Sequence, residues 1–331
     1  MMSRALSITE PDIARLLPDP VASCLRRFVP LSGLCTLRVG GNADWLLVAD
    51  DIGILADTVA VMQNSELPFI VLGEGSNILP ADAGVRGLVI VNRCRTVNIG
   101  ATVRAETGAS FMKLAFAAMR AGLSGLEWAV GIPGTLGGAL VSNAGAYRGN
   151  IGPLVRRLEV VESGNRHWVD PAWMRFSYRD SILRQAAERK ACVLQAELEL
   201  HPDNIRAIRS RARDFQRQRI PKQPWIPSAG SFFKNVNDAA LANSLSGLPQ
   251  PLRTAGVVPA AYLSEAAGCK GLRVGGAMVA ARHANFLVNT GTAKASDVLA
   301  AAEIVKTRVF EKFNVLLEEE VLRIGDWHIN G

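Results

Sequence analysis

The chain has 331 residues, of which 49% are hydrophobic and 20% charged, and its formal net charge is +7. This composition is typical of a globular protein with a large core, and it excludes a disordered or low-complexity chain. No apolar stretch reaches the length of a membrane span, and the first 20 residues carry acids and prolines, so we expect a cytoplasmic protein without a membrane partner.

The N-terminal quarter predicts a small α/β unit preceded by a peripheral arm over residues 1–25. Short apolar runs at Trp45–Ala49, Phe69–Leu72 and Leu88–Val91 predict strands, and Ile52–Asn64 predicts a helix between the first two. This alternation of strands and helices favours a sheet covered by helices.

The middle of the chain predicts a second sheet. We expect strands within residues 96–107, and we expect Leu158–Val161 to pair with Cys192–Leu200. Phe111–Ala121 predicts a helix that ends with Gly122 at the C-cap position.

Six arginines follow within one predicted helix, and they carry much of the net charge. They permit three interpretations: a nucleic-acid surface, a solvated helix face, or a face from which one or two arginines meet an anionic ligand. Phe215 is the one aromatic residue among them, which favours the solvated face, so we expect no nucleic-acid partner. The arginines are Arg206, Arg209, Arg211, Arg213, Arg217 and Arg219.

Three prolines between Pro221 and Pro227 predict a domain boundary. Beyond it, Ala260–Ala267 and Ser296–Phe313 predict helices, and Ser296 is the expected cap of the second. A last strand is expected over Val315–Ile324. The apolar stripe of the second helix consists of Val298, Ala302, Val305 and Val309.

Cysteine spacing argues against a metal centre or a disulfide framework. The five cysteines are odd in number, and no two of them are spaced as CxxC. We therefore expect no metal site.

Two glycine-rich segments carry the strongest functional signal. The first is Gly73-Glu74-Gly75-Ser76-Asn77, and the second centres on Ile132-Pro133-Gly134 and Gly137-Gly138. Glycine lets a ligand lie against the main chain, where amides can bond phosphate oxygens, so two such segments favour a long ligand such as a dinucleotide. Neither is a Walker A loop or a GxGxxG fingerprint. The alternative is that both are tight turns between core strands.

Three polar segments complete the candidate site: Tyr178-Arg179-Asp180-Ser181, residues 228–235, and Glu318-Glu319-Glu320-Val321. Taken separately, they are typical of a helix start, a turn and a solvated strand end. Together they suit proton delivery to carbon. A serine hydroxyl in a turn would be the acid, an arginine would stabilise carboxylate charge, and a carboxylate would lie opposite the arginine.

These segments occur in the order found in one enzyme family. The chain resembles the UDP-N-acetylenolpyruvoylglucosamine reductases, flavoenzymes of peptidoglycan precursor synthesis, over nearly everything after about residue 25. The segments that carry the resemblance are Thr36–Gly41, Leu72–Leu79, Leu126–Ala129, Gly131–Gly138, Asn143–Tyr147, Tyr178–Ser181, Ser228–Asn235, Gly275–Ala277 and His283–Phe286.

The resemblance implies an α+β/α/β fold, in which a two-lobed FAD-binding fold of the vanillyl-alcohol-oxidase (PCMH) type precedes a C-terminal α/β substrate domain. The expected units are an arm (1–25), FAD-binding lobe 1 (26–90), FAD-binding lobe 2 (91–225), a substrate-binding domain (226–314) and a closing strand (315–331) that returns to the FAD-binding part.

By the same resemblance, Arg179, Ser231 and Glu320 are catalytic. Arg179 is expected near the flavin and the substrate carboxylate, Ser231 is expected to protonate the substrate, and Glu320 is the glutamate of the closing strand. Asn235 and His283 are expected to line the substrate pocket. The expected FAD-binding residues are Gly73, Glu74, Gly75, Ser76, Asn77, Ile132, Pro133, Gly134, Gly137, Asn143 and Tyr178.

The implied activity is reduction of the enolpyruvyl group of UDP-N-acetylglucosamine-enolpyruvate to UDP-N-acetylmuramate by a monomer, with NADPH and non-covalently bound FAD. The chain has only three tyrosines, which places it with the shorter subclass. The family commonly has Glu-Pro-Glu-Val where this chain has three glutamates. Strand alternation predicts that Glu318 and Glu320 share a face and that Glu319 points away, so replacing Glu319 is expected to be nearly silent.

Two other activities stay open. A flavin oxidase would need a base for a substrate proton and often a covalent flavin tether, and His283 is the one histidine in a promising motif. A non-catalytic flavin or nucleotide sensor would keep the glycines but lose the acid and the arginine, whereas Arg179, Ser231 and Glu320 are all present.

Overall fold

A computed structural model describes residues 12–65, 67–185 and 191–327 of the chain. The N-terminal part contains α1 (Asp12–Leu16), α2 (Asp19–Ala22), β1 (Arg26–Pro30), β2 (Asn42–Ala49), α3 (Ile52–Asn64), β3 (Phe69–Leu72), β4 (Ile78–Pro80) and β5 (Val85–Asn92). Four of these strands form a sheet in the order β1-β2-β5-β3, in which β5 is parallel to both β2 and β3.

The bounds of α3 and β3 are those that the sequence predicts. Asp51 caps α3, because its Oδ1 accepts the amides of Gly53 at 2.8 Å and Ile54 at 3.0 Å. The predicted arm lies partly outside the described residues. Within its described portion, the buried side chains of Ile13 and Leu17 pack into the core around α3.

The middle part is a five-stranded antiparallel sheet with helices against it. Its elements are β6 (Val97–Ile99), β7 (Val103–Glu106), α4 (Phe111–Arg120), β8 (Leu123–Ser124), α5 (Leu136–Val141), β9 (Gly145–Ala146), β10 (Gly149–Asn150), β11 (Val155–Glu162), β12 (Asn165–Val169), α6 (Ile182–Gln185), β13 (Cys192–Leu198), β14 (His201–Pro202) and α7 (Ile205–Arg219). The sheet order is β12-β11-β13-β7-β6. The predicted pairing of β11 with β13 is confirmed. The C-cap of α4 is Ala121 rather than Gly122, which follows it with φ +74°.

The C-terminal part places helices around a small sheet. It contains β15 (Val236–Asn237), α8 (Ala239–Ser244), α9 (Gln250–Ala255), β16 (Val257–Val258), α10 (Ala260–Ala266), β17 (Arg273–Val274), β18 (Ala277–Val279), β19 (Leu287–Asn289), α11 (Ala295–Phe313) and β20 (Leu322–Ile324). The predicted stripe of α11 is buried. Short 3-10 turns elsewhere in the chain cover Leu31–Gly33, Glu127–Ala129, Gly152–Leu154, Pro171–Met174 and Ile220–Lys222.

The predicted cap of α11 is wrong. The helix begins at Ala295, so Ser296 lies in its first turn rather than at the cap. The carboxylate of Asp82, from the loop after β4, accepts the amides of Ala295 at 2.7 Å and Ser296 at 2.9 Å. A side chain more than 200 residues away therefore caps the helix and joins the two parts.

The predicted closing strand is also wrong over most of its length. Only Leu322–Ile324 form a strand, which pairs in parallel with β4 of the N-terminal part. Residues 315–321 make a single bridge, between Glu319 and Phe233. Ion pairs and contacts with the loop before β15 therefore hold this segment in place, because it lacks the continuous ladder of hydrogen bonds that would hold a strand.

No helix within the described ranges is long and apolar enough to cross a membrane.

Candidate active site

The two glycine-rich segments lie against each other. The Gly134 amide donates to the Glu74 carboxylate at 3.2 Å, and the Ser76 hydroxyl donates to the Pro133 carbonyl at 3.3 Å. Gly134 has φ +108°, and a Cβ on it would lie 2.5 Å from the Ser76 Oγ. Only glycine allows this approach, so the segments form one continuous wall.

The two segments differ in whether their backbone amides already have hydrogen-bond acceptors within the protein. In the second segment the Gly137 amide donates to the Thr107 carbonyl at 2.8 Å, and the Gly138 amide donates to the Thr135 Oγ1 at 3.3 Å. Among the described residues, no acceptor is present for the amides of residues 74–76. The first segment therefore offers donors to an anion, whereas the second supplies mainly shape.

Arg179 and Glu320 form the ion pair at the centre of the site. Arg179 Nε lies 3.2 Å from Glu320 Oε1, and the two side chains are only 19% and 20% exposed. The same guanidinium donates to the Gly145 carbonyl, and its carbon lies 5.4 Å from the centre of the Tyr178 ring. The backbone of Arg179 is left-handed, with φ +53°, a conformation that costs free energy for a residue other than glycine.

Burial controls the ionisation of Glu320. It raises the pKa of the Glu320 carboxyl, and the nearby positive charges of Arg179, Arg184 and Lys234 offset this only in part. A raised pKa is common for a carboxyl group that exchanges protons during a reaction.

Ser231 precedes a tightly held backbone turn. Its neighbour Phe232 donates from its amide to the Asn285 carbonyl at 2.7 Å and accepts from the Glu320 amide at 2.8 Å. The Ser231 side chain is half-buried, and its hydroxyl has no hydrogen-bond partner among the described residues. The turn therefore fixes Ser231 next to the segment of Glu320 and leaves its hydroxyl available.

The two predicted substrate-binding residues differ in placement. Asn235 accepts the Ala260 amide at 3.2 Å, and it lies close enough to Tyr178 to affect the pKa of the tyrosine hydroxyl, on the Arg179 side of the site. His283 packs its ring 4.9 Å from that of Phe286 and accepts from the Asn285 amide at 3.3 Å. Burial lowers the pKa of His283. Within the described part of the chain, no hydrogen bond joins His283 to the Arg179–Glu320 pair.

Asn143 supports the Tyr178 loop. Its side chain donates to the Ser177 carbonyl at 2.6 Å and accepts from the Gly152 amide at 3.1 Å. Asn143 therefore fixes the entry into the segment that carries Tyr178 and Arg179.

The three glutamates lie in different surroundings on a segment that is not a regular strand, and Glu319 contacts other cations than Glu318 and Glu320 do. Glu318 is 70% exposed. Glu319, expected to point away, is 13% exposed and bonds Lys306 at 2.5 Å and Arg323 at 2.8 Å. The three consecutive carboxylates thus have three different environments. Of the three, only the Glu320 carboxylate contacts Arg179.

Sequence reasoning missed the cations around this segment. Arg184 donates to the Glu319 carbonyl at 3.0 Å, and Lys234 pairs with Glu318 at 2.5 Å. Lys306 and Arg323 hold the side chain of Glu319. The three adjacent glutamates were the only sequence signal that cations would gather here.

The arginine-rich helix α7 serves more than one purpose. Arg211 pairs with Glu127 at 2.7 Å and Asp203 at 2.6 Å. Arg219 is half-buried, donates to the Trp128 carbonyl at 3.1 Å, and lies 5.4 Å from the Tyr147 ring. Four others are exposed, as expected for a solvated face: Arg206, Arg209, Arg213 and Arg217.

Comparison with known proteins identifies the family. Residues 43–168 match the FAD binding domain family, and residues 221–324 match the UDP-N-acetylenolpyruvoylglucosamine reductase, C-terminal domain, family. A UDP-N-acetylenolpyruvoylglucosamine reductase of Acaryochloris marina is 37% identical over 91% of this chain and 93% of its own length. The chain belongs to the UDP-N-acetylenolpyruvoylglucosamine reductase family.

Further members of this reductase family agree. The reductase of Thermotoga sp. (strain RQ2) is 34% identical over 91% of this chain and 94% of its own length. The crystal structure of the Thermus caldophilus reductase is 33% identical, with a TM-score of 0.72 over 91% of this chain and 99% of that one. The predicted fold class is confirmed, and the protein is an FAD-dependent oxidoreductase.

Proposed function

We propose that this reductase converts UDP-N-acetylglucosamine-enolpyruvate to UDP-N-acetylmuramate in the cytoplasm, with NADPH as the hydride source. The observation that carries the proposal is the geometry around Glu320. The Glu320 side chain meets Arg179, its amide bonds the turn that holds Ser231, and its carbonyl accepts from Asn77 at 3.1 Å. The candidate acid Ser231, the candidate anion-binding group Arg179 and the first glycine-rich segment therefore all lie next to Glu320.

The described residues fit FAD. The unpaired amides of residues 74–76 suit the cofactor diphosphate, and Gly134 keeps the wall flat enough for close approach. Tyr178 and Asn143 belong to the segments next to Arg179, where the ring system would lie. The bound flavin supplies hydride transfer between NADPH and the substrate.

The side chains supply position, charge and a proton. Arg179 would bind the substrate carboxylate and stabilise the negative charge that develops when hydride reaches the terminal methylene carbon. Ser231 would donate its hydroxyl proton to the adjacent carbon, which completes the reduction of the double bond. Glu320 would orient Arg179, and its raised pKa suits a role in returning a proton to Ser231.

An anaerobic two-step experiment tests this function. NADPH should bleach the visible flavin absorbance, and the enolpyruvyl substrate should then restore it without oxygen. Recovery only after oxygen is admitted would identify an oxidase. Failure of NADPH to bleach the flavin would favour a sensor. Either result would refute the proposal.

A further inference from the structure

The turn between β9 and β10 has a backbone conformation that its own sequence disfavours. Ala146 pairs with Gly149, so Tyr147 and Arg148 are the two central residues of the turn. Both have left-handed backbones, with φ +51° and +68°. Turns of this kind favour Asn-Gly, because larger side chains crowd the backbone at positive φ. Contacts from outside the hairpin must therefore hold the turn in this conformation.

Helix α7 supplies those contacts. The rings of Tyr147 and Phe215 are stacked, with centres 4.6 Å apart and planes inclined by 18°. The Tyr147 hydroxyl also donates to the Phe215 carbonyl at 3.1 Å. One helical turn further on, the guanidinium carbon of Arg219 lies 5.4 Å from the Tyr147 ring. Stacked rings and a cation near an aromatic face attract each other, so α7 holds the turn through the side chain of Tyr147.

Helix α7 is anchored independently of this turn. The side chain of Ile208 is fully buried and belongs to the same apolar cluster as Met119 of α4. Arg211 pairs with the buried carboxylate of Glu127 at 2.7 Å. The helix is therefore a fixed surface on which the turn rests.

The strand that leads into the turn contacts the arginine of the candidate active site. The carbonyl of Gly145, in β9, accepts a hydrogen bond from the Arg179 guanidinium. A Cβ on Gly145 would lie 3.0 Å from Arg179 Nη1, so the strand and the guanidinium are in close contact. Glu320 binds the same guanidinium at Nε. Two acceptors at different nitrogens fix the plane of the group, and a movement of the hairpin would displace one of them.

We propose that Phe215 is a positioning residue for Arg179. Its ring holds the strained turn through Tyr147, the hairpin holds the Gly145 carbonyl, and this carbonyl orients the guanidinium. The inference rests on the proposed function, in which Arg179 binds the substrate carboxylate. Without the stacked rings the turn would relax, and Arg179 would keep Glu320 as a partner but lose Gly145. The arginine would then be misplaced for the reaction with the enol ether, whereas hydride transfer from NADPH does not involve that carboxylate.

Stopped-flow absorbance of the holoenzyme tests this role in both half-reactions. In Phe215→Leu the limiting rate constant of reoxidation by the enolpyruvyl substrate should fall about 10–100-fold, the scale of a small misplacement near the reacting atoms. Flavin reduction by NADPH should stay within about twofold of the wild type. Phe215→Tyr keeps a stacking ring and should behave as the wild type does. Phe116→Leu is the matched control, because Phe116 is an aromatic residue 38% exposed on α4, and it should leave both rates unchanged.

A second substitution tests whether the strained turn transmits the effect. Glycine adopts positive φ without steric cost, so Arg148→Gly should make the turn stable without help from α7. Adding Arg148→Gly to Phe215→Leu should therefore restore most of the limiting rate of reoxidation. If Phe215→Leu does not fold, Tyr147→Leu with and without Arg148→Gly makes the same comparison.

Three results would overturn the positioning role. A higher substrate concentration at half the limiting rate, with that rate unchanged in Phe215→Leu, would indicate a direct contact with the substrate. Equal slowing of both half-reactions would indicate a general structural role. Failure of Arg148→Gly to restore the rate would exclude the turn as the link. A wild type that fails the anaerobic cycle would refute the proposed function together with this role, whereas normal reoxidation of Phe215→Leu beside a normal wild type would refute the role alone.

Discussion

The clearest test of the closing segment is Glu319→Gln. The Glu319 carboxylate is 13% exposed and bonds Lys306 and Arg323, which are 23% and 31% exposed. Breaking a fully buried ion pair destabilises a protein by about 3–5 kcal/mol. Here both cations also contact Glu303, at 2.8 and 3.2 Å, so neither is left without a partner. We therefore expect a loss of about 2 kcal/mol in unfolding free energy at neutral pH.

The effect should depend on pH. Burial alone would raise the pKa of Glu319, but the hydrogen bonds from Arg323 and Lys306 outweigh it and leave the pKa lowered. A carboxyl group with a lowered pKa stabilises the folded state above its unfolded pKa, and this contribution disappears as the pH falls through the folded pKa. The gap between the wild type and Glu319→Gln should therefore narrow in acid.

Urea unfolding of the holoenzyme at several pH values measures this difference. Glu303→Gln is the matched control, because Glu303 contacts the same two cations but is 54% exposed. It should lower stability by less than about 1 kcal/mol. Equal losses in the two variants, or a loss below about 0.5 kcal/mol for Glu319→Gln, would refute the reasoning.

Four further outcomes are expected. Ser231→Ala should leave flavin reduction by NADPH nearly normal and slow reoxidation by the enol ether about 10²–10⁴-fold in stopped-flow absorbance, whereas equal slowing of both steps would indicate a structural role. Acid precipitation should release all flavin into the supernatant, and flavin in the pellet would show a covalent bond. Hydrogen bonds led by that from Arg157 lower the pKa of Glu197 to about 2, so Glu197→Gln should destabilise the protein at neutral pH, with the difference lost between about pH 4.5 and 2 in urea titrations. Arg184→Met should raise the pKa of Glu320, so the pH dependence of the reoxidation rate that Glu320 causes should shift to higher pH. Arg184→Lys should return this dependence to the wild-type pH, and no shift in Arg184→Met would contradict the electrostatic role of Arg184.

Local sequence signals predict the elements that local contacts stabilise. The helix Ile52–Asn64 has the predicted bounds because its apolar spacing and the Asp51 cap all lie within one stretch of chain. Elements fixed by distant partners were not predictable in the same way. The cap of α11 is Asp82, and the segment of Glu319 is held by α11 and by the loop before β15 rather than by a strand ladder.

The same distinction applies to the site. Motif order assigned Arg179 and Glu320, and the structure pairs them at 3.2 Å. The number of glycines gave no information about which backbone amides already donate a hydrogen bond within the protein. This depends on the position of acceptors such as the Thr107 carbonyl, which are distant in sequence. Lys306 and Arg323 carried no sequence pattern that related them to Glu319.

The pairing of β20 with β4 has a consequence for biosynthesis. More than 240 residues separate Pro80 from Leu322, yet these two strands are neighbours. At about 5–20 residues per second, a ribosome needs roughly 12–48 s to make the intervening chain. During that time the edge of β4 is without its partner, and nascent chains expose a strand edge that can pair with other molecules. We therefore expect co-translational chaperones to bind the nascent N-terminal part, and this part to become resistant to proteolysis only after β20 has left the ribosome.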